Sequence, residues 1–351
     1  MATETSDHLG VETTVSADIT PTGLSLGAKS RFVAALDRLG GNLLETLNVP
    51  LEAHNEKKRK IGEGEVEMIE AAIEFGVAKL GADADFAERA LKRHFRKVLN
   101  AQENSDGVLD QAVEDLRSNP PSTPQNADDR PLSEEFLENI ERYAGGASTA
   151  ELRSRWGRVL ASEIRRPGTF SAKVLRVVDE LDGSTAALFE HVCSSLFFQI
   201  IPFCLLDDNE LAFSLRSRLV SAGLLHDPGL NGHVLIFSEM TNIGGQETWV
   251  LTGSGAGLAI RKPVENLFVS PKGVITRHTT GAPAVPGYLL TEVGQAVASI
   301  ISRDENAIVK NYASKLAGAI KGDVLLLRTG TDSLELVETI SPSEEGSLGS
   351  L

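Results

Sequence analysis

The chain has 351 residues, enough for two or three domains with separate cores, and its 41% apolar and 24% charged residues are those of a globular protein. A net charge of −15 opposes general attraction to DNA, RNA or anionic membranes, because polyanion binding rests on Lys and Arg displacing counterions. Cys193 and Cys204 are the two cysteines; without a Cys-x-x-Cys pair they suggest neither a structural zinc nor a disulfide framework.

Residues 1–25 are rich in Thr, Ser, Asp and Glu and are expected to form a disordered tail. They lack a basic segment followed by an apolar core, so no signal peptide is expected. A helical region is expected over 26–117. Phe32, Leu36, Leu39, Leu43 and Leu47 mark its first amphipathic helix, ended by Val49-Pro50. A second helix is expected over 51–80. Its Lys57-Lys58-Arg59-Lys60 run sits among glutamates and reads as a solvated face. A third runs to Asn104, with Phe86, Ala90, Leu91, Phe95 and Val98 inward and Arg89, Lys92, Arg93, Arg96 and Lys97 making it the most basic helix of the chain. Ser105-Asp106-Gly107 is expected to break it from a short helix carrying Val108, Leu109, Ala112, Val113 and Leu116. Four prolines over 118–131 indicate a linker.

A helical domain is expected over 132–206. Ser133 caps a helix with Phe136, Leu137, Ile140 and Tyr143 inward, closed by Gly145-Gly146. Leu152, Trp156, Val159, Leu160 and Ile164 then share one helical face. Arg165 and Arg166 complement the last carbonyls, Pro167 and Gly168 reverse the chain, and Ser171 caps a helix with Val174, Leu175, Val178 and Leu181 inward. Trp156 anchors this corner, which reads as structural because no titratable groups are seen to converge on it. The following helix, capped by Asp182-Gly-Ser184, carries Leu188, Phe189, Val192, Leu196 and Phe197. The most apolar run, 192–206, is too short for a membrane span and contains Gln199 and Pro202.

The run Trp156-Gly-Arg-Val-Leu-Ala-Ser-Glu163-Ile-Arg-Arg-Pro167-Gly-Thr-Phe-Ser171 resembles the signature of a bacterial family, domain of unknown function 2806. Gln102-Glu-Asn104 resembles a second segment of that family, although Ser105-Asp106-Gly107 and a Pro-rich insert depart from its pattern. The resemblance spans about residues 25–225 and implies an architecture, not a mechanism. The general layout is also reminiscent of the abortive-infection alpha family, which would imply a role in phage defence.

Residues 207–340 are expected to form an α+β, winged-helix-like domain, and 341–351 a disordered tail. Leu211, Leu215 and Leu219 mark a helix that ends in Gly223-Leu-Leu225 and leads into the strand-like 233–237. Further strands are expected at 248–251, 257–260, 267–269, 274–276 and 324–327, with helices at 288–297 and 306–320. Thr252-Gly-Ser-Gly-Ala-Gly257 meets neither the phosphate-loop nor the dinucleotide spacing and reads as a hairpin tip. None of the seven histidines forms a helical metal-ligand pair. His226 and His233 bracket a turn with Asp227, which reads as a surface loop. Glu151, Glu163 and Asp179 would be paired acids only if the fold brought them together.

These readings favour a mainly α N-terminal part and a winged-helix-like C-terminal part, with no enzyme, cofactor or metal site expected. The function expected is that of a non-catalytic, cytoplasmic interaction or regulatory protein with a protein partner; self-association is compatible with the sequence. The alternative is a winged-helix nucleic-acid-binding regulator using Arg216 and Arg218 as phosphate contacts.

Overall fold

Ser133 and Thr149 each stand just before an apolar-periodic stretch, and each side chain accepts the amide three residues on, from Phe136 and Leu152. These caps open two of the four helices described in the first of two compact units, which ends at Phe170. The computed structural model describes residues 26–40, 84–119, 130–206, 211–229, 232–243, 245–253, 255–264, 273–329 and 334–342. The expected helix over 51–80, the strand at 267–269, both tails except for residues 341–342, and most of the 118–131 linker lie outside them.

In the first unit, α1 is Leu26–Arg38, α2 Ala84–Ser118, α3 Glu134–Gly145 and α4 Ala150–Arg165. Helix α4 packs chiefly along α2. Phe32, Leu36, Val108, Leu109, Ala112, Leu116, Phe136, Ile140, Trp156, Leu160 and Ile164 are buried in this unit. The expected break at 105–107 is absent, and α2 runs through it for 35 residues. Within the helix the buried Ser105 satisfies its hydroxyl by donating it back to the Ala101 carbonyl at 2.9 Å. The apolar face beyond it packs on α4, and tertiary packing outweighs the weak propensity of Ser-Asp-Gly. The N-terminal half of α2 also differs from expectation. Phe86, Ala90 and Val98 are exposed, while Leu91 and Phe95 are half-buried.

The second unit begins at Ser171, whose side chain caps α5, Ala172–Glu180, with Val174, Leu175 and Val178 buried. Asp182 caps α6, Gly183–Cys193, accepting from the Thr185 amide at 2.9 Å. Strand β1 is Ile200–Pro202, a 3-10 turn covers Phe203–Leu205, and α7 is Phe213–Ser221. Strands β2 to β7 are His233–Ile236, Ser238–Ile243, Gln246–Thr252, Ala256–Arg261, Thr276–Arg277 and Pro283–Leu289. Helices α8, Glu292–Ala298, and α9, Glu305–Ile320, lead to β8, Val324–Thr329, and β9, Leu334–Ile340. Among the described residues, the C-terminal region is thus rich in antiparallel strands.

Among the described residues the strands form two antiparallel sheets. One has the order β1-β7-β2, with β6 also on β7; the other has the order β3-β4-β5-β8-β9. Val250–Leu251 of β4, Leu258–Ile260 of β5 and Val324–Leu327 of β8 are buried at successive residues, so both faces of the sheet are covered there. Leu251, Leu258, Ile260, Val324 and Leu326 pack in one cluster with Ile308, Tyr312 and Leu316 of α9. Val250, Ala259, Leu325 and Leu327, one residue out of phase, form a second. Between β4 and β5 the Gly253 amide is bonded to the Ala256 carbonyl, and Thr252 pairs with Gly257.

The Leu290-Thr291-Glu-Val-Gly294 segment has a physical role in this unit. The Thr291 hydroxyl donates to the Gly223 carbonyl and accepts from the Gly294 amide at 2.9 Å, capping α8. A Cβ on Gly294 would lie 2.1 Å from the Leu224 carbonyl oxygen, so only glycine lets α8 seat against the chain that leaves α7. Gly294→Ala is expected to destabilise the protein by about 3 kcal/mol, the upper end for overpacking, because backbone must move. A denaturant midpoint unchanged from the parent would refute this close approach.

Candidate functional site

The residues of the signature run and of the Gln102–Asn104 segment meet in the first unit, where α2 and α4 cross. Gly157 makes the crossing close: a Cβ there would lie 2.4 Å from Cβ of Gln111 and 3.0 Å from the Ala112 amide nitrogen. Beside it Trp156 is 2% exposed and stacks on Tyr143, ring centroids 4.5 Å apart and planes within 6°. The Arg142 guanidinium lies over the same tyrosine ring at 4.7 Å.

Polar side chains fasten the ends of the helices around this core. Gln102 donates to the Leu39 carbonyl at 3.0 Å, just past the end of α1, and to Asp106 at 2.8 Å. Buried Asn104 donates to the Gly145 carbonyl at 2.9 Å, at the end of α3, and accepts from Arg153 of α4 at 2.8 Å. Arg153 in turn donates to the Ala147 carbonyl at 3.1 Å. Arg165 closes the far end of α2, pairing with Asp115 at 2.6 Å and donating to the Asn119 carbonyl at 3.3 Å. Arg31, 3% exposed, donates to the Ile164 and Arg130 carbonyls at 2.7 and 3.1 Å.

Glu163 is the titratable group that sequence reading did not place here. It is 2% exposed and accepts the Gly168 amide at 2.6 Å and the Phe170 amide at 2.9 Å. Arg130 donates to the Pro167 carbonyl at 3.1 Å in the same turn. Burial raises the Glu163 carboxyl above its ordinary range; the backbone amides of 168–170 and the Arg130 charge oppose that rise in part. The carboxyl thus faces the turn that Pro167-Gly168-Thr169-Phe170 makes, with its oxygens committed to backbone. Residues 88–200 match the family described as a protein of unknown function, DUF2806. No curated protein and no solved structure matches the chain. The DUF2806 match covers α4, the Glu163-bonded turn and the Gln102–Asn104 segment, the residues on which the sequence resemblance rested.

Other candidates are not brought together. Glu151 is exposed and pairs with Arg155 at 3.3 Å, about 18 Å along α4 from Glu163. Asp179 is exposed on α5 of the second unit. Arg216 lies 5.4 Å from the centroid of the exposed Phe213 ring, and Arg218 donates to the Ser184 hydroxyl at 3.3 Å. His226 and His233 stand 5.9 Å apart, and burial, followed by the His226 charge, lowers the His233 pKa. Among the described residues no three His, Cys, Asp or Glu side chains gather where a metal could sit. Both cysteines are free thiols, which burial pushes up to about 12 for Cys193 and about 11 for Cys204.

A cavity of about 460 Å³ in the second unit lies between the end of α6 and the start of α9, lined by Glu190, His191, Ser194, Ser302, Arg303 and Asp304. Its charges are mixed. Arg303 is engaged with the Ala298 carbonyl at 2.7 Å and with Glu305. No described helix is long and apolar enough to cross a membrane.

Proposed function

We propose that the chain is a non-catalytic interaction or regulatory protein of bacteria, acting in the cytoplasm on a protein partner. Phage defence is the process suggested by the abortive-infection resemblance. The observation that supports a non-catalytic role is the engagement of the signature residues. Trp156, Gly157, Glu163 and Pro167–Phe170, with Gln102 and Asn104, bind one another or their own backbone. A catalytic signature would instead keep at least one acid, base or nucleophile within reach of a substrate.

The winged-helix-like reading of 207–340 has support of its own, since α7 is followed by the antiparallel pair of β2 and β7. As a DNA reader, though, α7 offers only Arg216 and Arg218, against the roughly 6–10 phosphate contacts typical of useful affinity. We therefore assign this part to protein contact or to structure. At about 0.15 M salt, where screening is strong, a random duplex should show no mobility shift with the parent protein. Arg216→Ala combined with Arg218→Ala should leave partner binding unchanged. A shift by the parent that the double variant loses would instead favour the nucleic-acid regulator.

A further inference from the structure

Between Arg89 and Lys97 the helix α2 carries five Lys and Arg and no Asp or Glu, in a chain whose net charge is −15. Over 84–100 no described side chain is buried; Leu91, Phe95 and Leu99 are half-buried and the others exposed. At 3.6 residues per turn, Arg89, Arg93, Arg96 and Lys97 fall within an arc of roughly 100° and along about 12 Å of axis, on the side away from Leu91, Phe95 and Leu99. None of these four makes an ion pair among the described residues. The result is a convex, arginine-rich helical face.

We propose that this face of α2 docks on the backbone of duplex DNA, independently of α7 and of the protein contact proposed above. Charge complementarity favours that occupant. Duplex DNA presents a charge about every 1.7 Å along its axis, a density that an acidic protein segment does not approach. A single helix of about 10–12 Å diameter fits a major groove about 12 Å wide. Arginine forks match phosphate oxygens in pairs. With four contacts and no base-reading side chain assigned, binding is weak, independent of sequence and sensitive to salt.

The test is fluorescence anisotropy of a short labelled random duplex titrated with the full chain. Binding is expected at about 0.05 M salt, with log K falling against log salt at a slope of about −3.6, so that affinity drops roughly fifty-fold by 0.15 M. The variant Arg89→Ala/Arg93→Ala/Arg96→Ala/Lys97→Ala should lose binding while its melting temperature and far-UV circular dichroism match the parent. Single charge reversal, Arg93→Glu, should weaken binding in the same direction, and Arg216→Ala/Arg218→Ala should retain it. Absence of binding at 0.05 M overturns the proposal, as does a quadruple variant that binds like the parent. Competition by poly-L-glutamate as strong as by unlabelled duplex also overturns it, and points to an acidic protein segment instead.

Discussion

Trp156→Ala should destabilise the protein by about 3–5 kcal/mol, the range for truncating a large buried aromatic side chain. The side chain is 2% exposed, and its ring lies flat on Tyr143 at 4.5 Å. Truncation therefore forfeits both the burial and the offset stack, the latter worth roughly 0.5–1.5 kcal/mol in itself. The space left cannot close easily, because Gly157 already holds α4 as near α2 as backbone allows. Trp156→Phe refills most of the volume and should recover most of the loss. Thermal unfolding followed by circular dichroism reads the difference as a fall in midpoint on the order of 10 °C for the alanine variant. A midpoint equal to the parent's would remove Trp156 from the centre of this unit.

Glu163→Ala is the second large effect expected. It leaves the amides of Gly168 and Phe170 without their acceptor inside the protein; the buried Phe170 amide left unpaired costs about 1–3 kcal/mol, while water reaches the exposed Gly168 amide. Glu163→Gln keeps one acceptor but turns an amide donor toward the other N–H, so it should fall between parent and Ala. The two differ from the parent in pH dependence as well. The folded carboxyl titrates above its ordinary value of 4.5, so the native state holds the proton longer than the unfolded chain does. Its contribution is complete below that value and is lost as pH rises through the raised one. The stability of the parent minus that of Glu163→Gln should therefore shrink as pH rises above the ordinary value of 4.5. A difference that grows over that range would mean that the amides, and not burial, dominate the site.

Caps and stripes were the legible part of this chain. Ser133, Ser171 and Asp182 announce α3, α5 and α6, and the period of Trp156, Val159, Leu160 and Ile164 announces α4. Where packing overrides local preference the sequence misleads. Ser105-Asp106-Gly107 carries weak helix formers, but the helix is continuous because the residues after it bury against α4. Strand β7 was missed for a related reason. Pro283 and Pro286 remove ladder donors and read as loop, although the strand lies between β1 and β2 and is buried along most of its length. Glu163 shows a third limit. Nothing in periodicity distinguishes a solvated glutamate from one turned onto the amides of its own turn; the signal lies in the Glu-Ile-x-x-Pro-Gly pairing itself, where the acid precedes a chain reversal rich in unbonded N–H groups. Gln102 and Asn104 stood out as a motif, but their partners at Leu39 and Gly145 lie 63 and 41 residues away and leave no local trace.

The claim that the signature run holds the fold together in the absence of any ligand is tested most directly at two backbone amides. Native-state hydrogen exchange of Gly168 and Phe170 should show both amides protected in the ligand-free parent and exchanging freely in Glu163→Ala, with the rest of α4 still protected. Free exchange of both amides in the parent would contradict it, since the Glu163 carboxyl would then be open to something other than its own turn.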